Sequence, residues 1–154
     1  MVVLFVCTGN TCRSPMAELF FRAELTRRQI KNVEVRSAGL SAFANTPISC
    51  NAARIMAEND IDANTFRSTR LTVPLLEQST LVLTMTAAHR RAIVDALPEF
   101  AQKVHCLLDI TSGNDVPDPY GGNTDEYRSV FESMRPALIE WADHIEKNNV
   151  SNNI

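Results

Sequence analysis

The 154-residue sequence has only four cysteines, Cys7, Cys12, Cys50 and Cys106. None forms a C-x-x-C pair or stands at zinc-finger spacing from a histidine, which speaks against a structural metal site. So few cysteines at this length also exclude a disulfide-stapled secreted scaffold. Cys50 and Cys106 read as inert core thiols. There is no apolar run near the roughly 20 residues a membrane span requires. The first six residues, Met1 to Val6, carry no basic leader, so no signal peptide is expected and the chain reads as cytoplasmic. There is no excess of positive charge: the formal net charge is −3, which argues against nucleic-acid and anionic-membrane partners. The arginines are scattered and read mostly as solvated helix faces. Repeats and low-complexity stretches are missing too, apart from a polar end from Asn148 to Ile154 that is expected to fray.

What is present fits one domain spanning residues 1–154, with 45% hydrophobic and 21% charged residues. Val2 to Val6 is a continuous apolar run of the kind buried in a parallel sheet. Pro15 then opens a helix with Met16, Leu19, Phe20 and Ala23 at helical spacing. Val33 to Val35 reads as a second strand, ended by Ser37-Ala38-Gly39. Ser49 to Asn59 reads as a helix with Ala52, Ile55 and Met56 inward. Leu81 to Leu83 forms a third strand, Thr86 to Leu97 a helix, and Val104 to Leu108 a fourth strand. A long stripe from Tyr127 to Ile145 marks a final helix, which Pro136 is expected to kink or split. Strands alternating with helices predict an α/β three-layer sandwich, a four-stranded parallel sheet with helices on both faces.

In such a sheet, ligands bind beyond the carboxyl ends of the strands, at helix N-termini. The first such loop is Cys7-Thr8-Gly9-Asn10-Thr11-Cys12-Arg13-Ser14. Gly9 and Asn10 tolerate the positive φ that an inward-wrapped anion cradle needs. Arg13, six positions after Cys7, can grip two phosphate oxygens with its planar fork. Helix dipole, amides and guanidinium together favour a thiolate at Cys7, and Ser14 can donate a hydrogen bond to it. A bare C-x5-R recurs by chance; its placement between a buried strand and a Pro-initiated helix makes it a phosphate site. A general acid is also needed, and Asp109, Asp115 and Asp118 in one polar stretch all qualify.

The run Cys7 to Glu18, together with Ser37-Ala38-Gly39 and Asp118-Pro119-Tyr120, resembles the low-molecular-weight protein tyrosine phosphatase family. The likeness covers nearly the whole chain. It implies Cys7 as nucleophile forming a phosphocysteine, Arg13 and the loop amides as phosphate binders, and Asp118 as the general acid. It further implies that Phe43 and Tyr120 wall the cleft, and that Cys12 can pair with Cys7 under oxidation. No metal or cofactor is implied, and the partners are phosphorylated proteins met by a monomer.

Two departures from the tyrosine-specific pattern bear on substrate. Thr11 replaces the usual aliphatic residue, and Gly121-Gly122 replaces a second aromatic. Both resemble the bacterial protein arginine phosphatase branch, which points to phosphoarginine ahead of phosphotyrosine. An arsenate reductase of this fold would keep further cysteines between Leu81 and Arg91, where there are none. A sugar-transport phosphocarrier would have no use for Arg13. A non-catalytic phosphoprotein-binding module could dispense with Cys7 or Asp118, yet both are present.

Overall fold

The strand that leads into the loop, β1 (Val2–Cys7), is buried on both faces. Val3, Phe5 and Cys7 join one apolar cluster, and Leu4 and Val6 join another. A strand with this two-sided burial belongs in the interior of a parallel sheet. In the computed structural model, which describes residues 1–151, it lies there. The four strands are ordered β2-β1-β3-β4 and every pairing is parallel. The helices α1 (Arg13–Arg27), α2 (Cys50–Glu58) and α5 (Thr124–Ser151) pack over the larger cluster. The short α3 (Val73–Gln78) and α4 (Ala87–Ala96) supply Leu76 and Ile93 to the smaller cluster on the opposite face. This is the three-layer sandwich expected from the alternation of elements. Among the described residues, no helix is long and apolar enough to cross a membrane.

Several boundaries differ from expectation. Helix α1 starts at Arg13, two residues before Pro15, and the first intrahelical bond runs from Met16 N to Cys12 O (3.3 Å). Pro15 therefore sits inside the first turn, where its missing N–H is still not needed. Strand β2 is Glu34–Gly39, so Ser37-Ala38-Gly39 continues the strand instead of ending it, in register with Phe5, Val6 and Cys7. Strand β4 is only Val104–Cys106; Leu107–Ile110 turn into a 3₁₀ helix because Asp109 accepts the Cys106 N–H. Helix α3 and a 3₁₀ turn at Pro98–Lys103 were not foreseen. Each is too short for periodicity to register.

Pro136 does not split α5, which is continuous from Thr124 to Ser151. Tyr127, Phe131 and Met134 before the proline and Leu138, Trp141 and Ile145 after it are buried along one face. That burial holds both halves in line. The polar end begins inside this helix, and residues 152–154 lie outside the described residues. Cys50 corrects the expectation of a core thiol. It is exposed as the first residue of α2, where the inward positions belong to Ala52, Ile55 and Met56. Cys106 is buried, and burial pushes its thiol up, as an inert core thiol requires. Nor are the arginines all solvated: Arg13 is buried, and Arg28, largely covered, bridges Glu24 to Asp143 and Glu146.

Candidate active site

Strand order reverses direction at β1. The chain moves from β1 to its neighbour on one side and later to β3 on the other, so the carboxyl ends of β1 and β3 border a crevice. The loop after β1 fills it. The N-terminus of α1 has no side-chain cap, which leaves its first amides free to meet an anion. A cleft of about 240 Å³ opens above, lined by Cys7, Thr8, Gly9, Asn10, Thr11, Cys12, Arg13, Asp118 and Tyr120.

At its base, Cys7 Sγ receives the Asn10 N–H (3.2 Å) and lies 2.9 Å from Ser14 Oγ. Asn10 adopts φ 54°, a left-handed conformation that asparagine tolerates better than most residues. This turn aims the Asn10 amide at Ser14 Oγ and Ser37 Oγ, both at 2.8 Å, while its Oδ1 accepts the Thr69 N–H (2.7 Å). Because Ser14 Oγ accepts from Asn10, its own proton is directed to the Cys7 sulfur. Ser37 in turn donates to the Glu18 carboxylate, which also pairs with Arg22. Burial pushes Glu18 up, opposed by its bonds from Ser37 and Arg22. Gly39 lies directly below the loop. A Cβ there would stand 2.5 Å from Thr8 O and 2.9 Å from Asn10 N.

Arg13 is 5% exposed and reaches the loop before α5, with Nη1 donating to Val116 O (3.2 Å) and Nη2 lying 3.3 Å from Asp118 Oδ2. Asp118 Oδ1 accepts the Tyr120 N–H (3.2 Å), which fixes the carboxylate at the cleft mouth with its side chain 55% exposed. The three acidic candidates are now separated. Asp109 accepts from Cys106 N, Asp115 accepts from Ala87 N (2.7 Å), and Asp118 faces the cleft.

Cys12 Sγ lies 3.1 Å from Tyr127 Oη and donates to Ser49 Oγ (3.6 Å). Burial and the Cys12 contact hold the Tyr127 hydroxyl at about 12. Cys7 and Cys12 thus line one cleft as free thiols. Thr11 is a half-buried wall of the same cleft, and Ser14 lies just beneath it. Phe43 is not brought to the lining; its ring is 85% exposed on the neighbouring loop, held by hydrogen bonds to its carbonyl from Thr46 and Ser68.

Sequence reasoning missed His89, whose Nε2 lies 2.8 Å from Thr8 Oγ1. It stands in the first turn of α4, just after β3. The rule that placed the loop after β1 applies equally after β3, so the polar residues there were candidates on the same ground. The sequence assigns no role to the side chains of Ser37 and Glu18, because their contacts depend on β2 and α1 folding together.

Residues 2–151 match the family model described as low molecular weight phosphotyrosine protein phosphatase. The chain is 38% identical over 149 residues to a protein-arginine-phosphatase of Bacillus subtilis, covering 96% of this chain and 98% of that one. Its fold superposes on the YwlE arginine phosphatase, solved as a cysteine-to-serine mutant with a phosphorylated active-site serine. The TM-score is 0.91 at 38% identity, over 96% of this chain and 97% of that one. A low molecular weight protein tyrosine phosphatase from T. tengcongensis matches with a TM-score of 0.88 and 36% identity, over 94% and 99% of the two chains.

Proposed function

Because this chain belongs to the low molecular weight phosphotyrosine protein phosphatase family and is a phosphoprotein phosphatase, we propose that it hydrolyses phosphoarginine on proteins, with Cys7, Arg13 and Asp118 as its catalytic residues. The thiolate of Cys7 attacks phosphorus in line with the leaving guanidino nitrogen. The P–N bond breaks as the S–P bond forms, and Asp118 gives that nitrogen its proton. Arg13 and the amides from Thr8 to Ser14 hold the phosphoryl oxygens as charge gathers on them. Asp118, now a carboxylate, takes a proton from water; the water oxygen attacks phosphorus and Cys7 departs as thiolate. The hydroxyl of Ser14 and the backbone N–H of Asn10, both already on the sulfur, stabilise that leaving group.

The observation that carries the substrate is Thr11 in the wall of the cleft. A polar wall suits a donor-rich guanidinium better than a phenyl ring. Two further features support it. Gly121 has φ 78°, and a Cβ on Gly122 would meet Pro119 O at 3.0 Å, so the chain past Tyr120 is shaped for glycine and offers no second aromatic wall. The protein-arginine-phosphatase of Bacillus subtilis is similar over nearly its full length. The second reading, phosphotyrosine, rests on the exposed ring of Tyr120 in the cleft lining, which offers a face to an aryl group. Peptides matched in sequence and bearing either phosphoresidue decide between them. The kcat/KM ratio is expected to favour phosphoarginine by about tenfold or more; a ratio at or below unity overturns the substrate assignment. The chemistry is tested separately: Cys7→Ser abolishes turnover but retains inorganic phosphate binding.

A further inference from the structure

His89 is 7% exposed, and one of its ring nitrogens, Nδ1, is buried with no hydrogen-bond partner. The other, Nε2, meets Thr8 Oγ1 at 2.8 Å. In a neutral imidazole one nitrogen donates and the other accepts. A buried N–H without an acceptor is rarer than a buried acceptor left bare. The proton therefore belongs on Nε2, and the unpartnered Nδ1 carries only a lone pair. The surrounding charges agree. Burial first, then the Arg13 cation, oppose a second proton on the ring, while Asp115 and Asp118 act in the other direction. His89 is thus neutral and donates to Thr8.

A hydroxyl oxygen that accepts from His89 must turn its own proton elsewhere. Thr8 is exposed and lines the cleft directly after Cys7, with Arg13 in the same lining. We propose that His89 is a positioning residue that sets Thr8 as a side-chain hydrogen-bond donor to the phosphoryl group of the substrate. The proposal rests on the reading that a phosphoryl group enters this cleft. Thr8 then adds a donor to those of the loop amides and Arg13. Thr8 belongs to the loop after β1 and His89 to the helix after β3, so both strands at the switch point serve one anion.

Nitrogen-15 NMR on the labelled full chain reads the tautomer directly. His89 is expected with Nε2 protonated and Nδ1 bare, and the opposite tautomer overturns the proposal. Inorganic phosphate, as a competitive inhibitor, reports the donor. Thr8→Val and His89→Ala should each weaken it about tenfold, the value of a hydrogen bond to a charged group. Combined, they should do no more harm than the worse single change, because the same donor is already gone. His89→Gln, which keeps an N–H near the place of Nε2, should recover phosphate affinity to within about threefold of the parent. Strictly additive losses, or unchanged affinity in Thr8→Val, sink the idea. Neither the tautomer nor Thr8→Val depends on His89→Ala folding. Phosphate binding is indifferent to which phosphoresidue is preferred, so a failure here leaves the substrate assignment standing, and the reverse holds too.

Discussion

At the scale of single residues, side chains that look alike in the sequence are divided by what they touch. Asp109 and Asp115 hold backbone amides, while Asp118 is held by Arg13 and the Tyr120 N–H with its carboxylate at the cleft mouth. Asp118→Asn should therefore lower kcat on a phosphoarginine peptide by about a hundredfold or more, the usual range for a lost general acid. The loss should be much smaller on an aryl phosphate whose leaving group needs no proton, and equal losses on both would remove Asp118 from that role. Thr11→Ile should move the kcat/KM ratio toward phosphotyrosine, by about tenfold for one polar-to-apolar exchange in a pocket wall. Gly39 carries a different constraint. A methyl group there would press on Thr8 O and Asn10 N, so Gly39→Ala should displace the Cys7–Ser14 loop and weaken inorganic phosphate binding, measured as its inhibition constant. The left-handed Asn10 belongs to the same class, since its turn alone lets one amide serve both Ser14 and Ser37.

Among the elements, α5 shows how packing overrides local preference. A proline inside a helix costs about 3 kcal/mol relative to alanine, yet α5 continues past Pro136 because buried side chains on both sides hold it. Pro136 is exposed, so Pro136→Ala restores an N–H without opening a cavity. It should stabilise the chain by about 1–3 kcal/mol in urea unfolding. Met134, fully buried two residues earlier, should behave in the opposite sense, with Met134→Ala costing about 2–5 kcal/mol. The same packing explains Cys50. Its place on α2 follows from the Ser49 cap, whose side chain accepts the Ala52 N–H, and this turns Ala52, Ile55 and Met56 inward and Cys50 out.

For the molecule as a whole, stability in acid is tied to the contact between the end of α1 and α5. Glu24 is held at about 2, below its ordinary 4.5, chiefly by its hydrogen bond from Arg27 with Arg28 adding to it. Arg28 carries the link on to Asp143 and Glu146. A carboxylate with a lowered value stabilises the fold above about 4.5 and loses that contribution as pH falls toward about 2. Glu24→Gln should therefore lower Tm at pH 6 and flatten its dependence on pH between 4.5 and 2. By itself the sequence determined the layered α/β fold, the loop from Cys7 to Ser14 and the family, because these rest on periodicity and on residues adjacent in the chain. Tertiary structure alone decided which carboxylate faces Arg13, that Phe43 lies outside the cleft lining, and that His89 stands behind Thr8. The Thr8–His89 and Arg13–Asp118 contacts join segments 81 and 105 residues apart at one end of the sheet, and no local pattern records such distances.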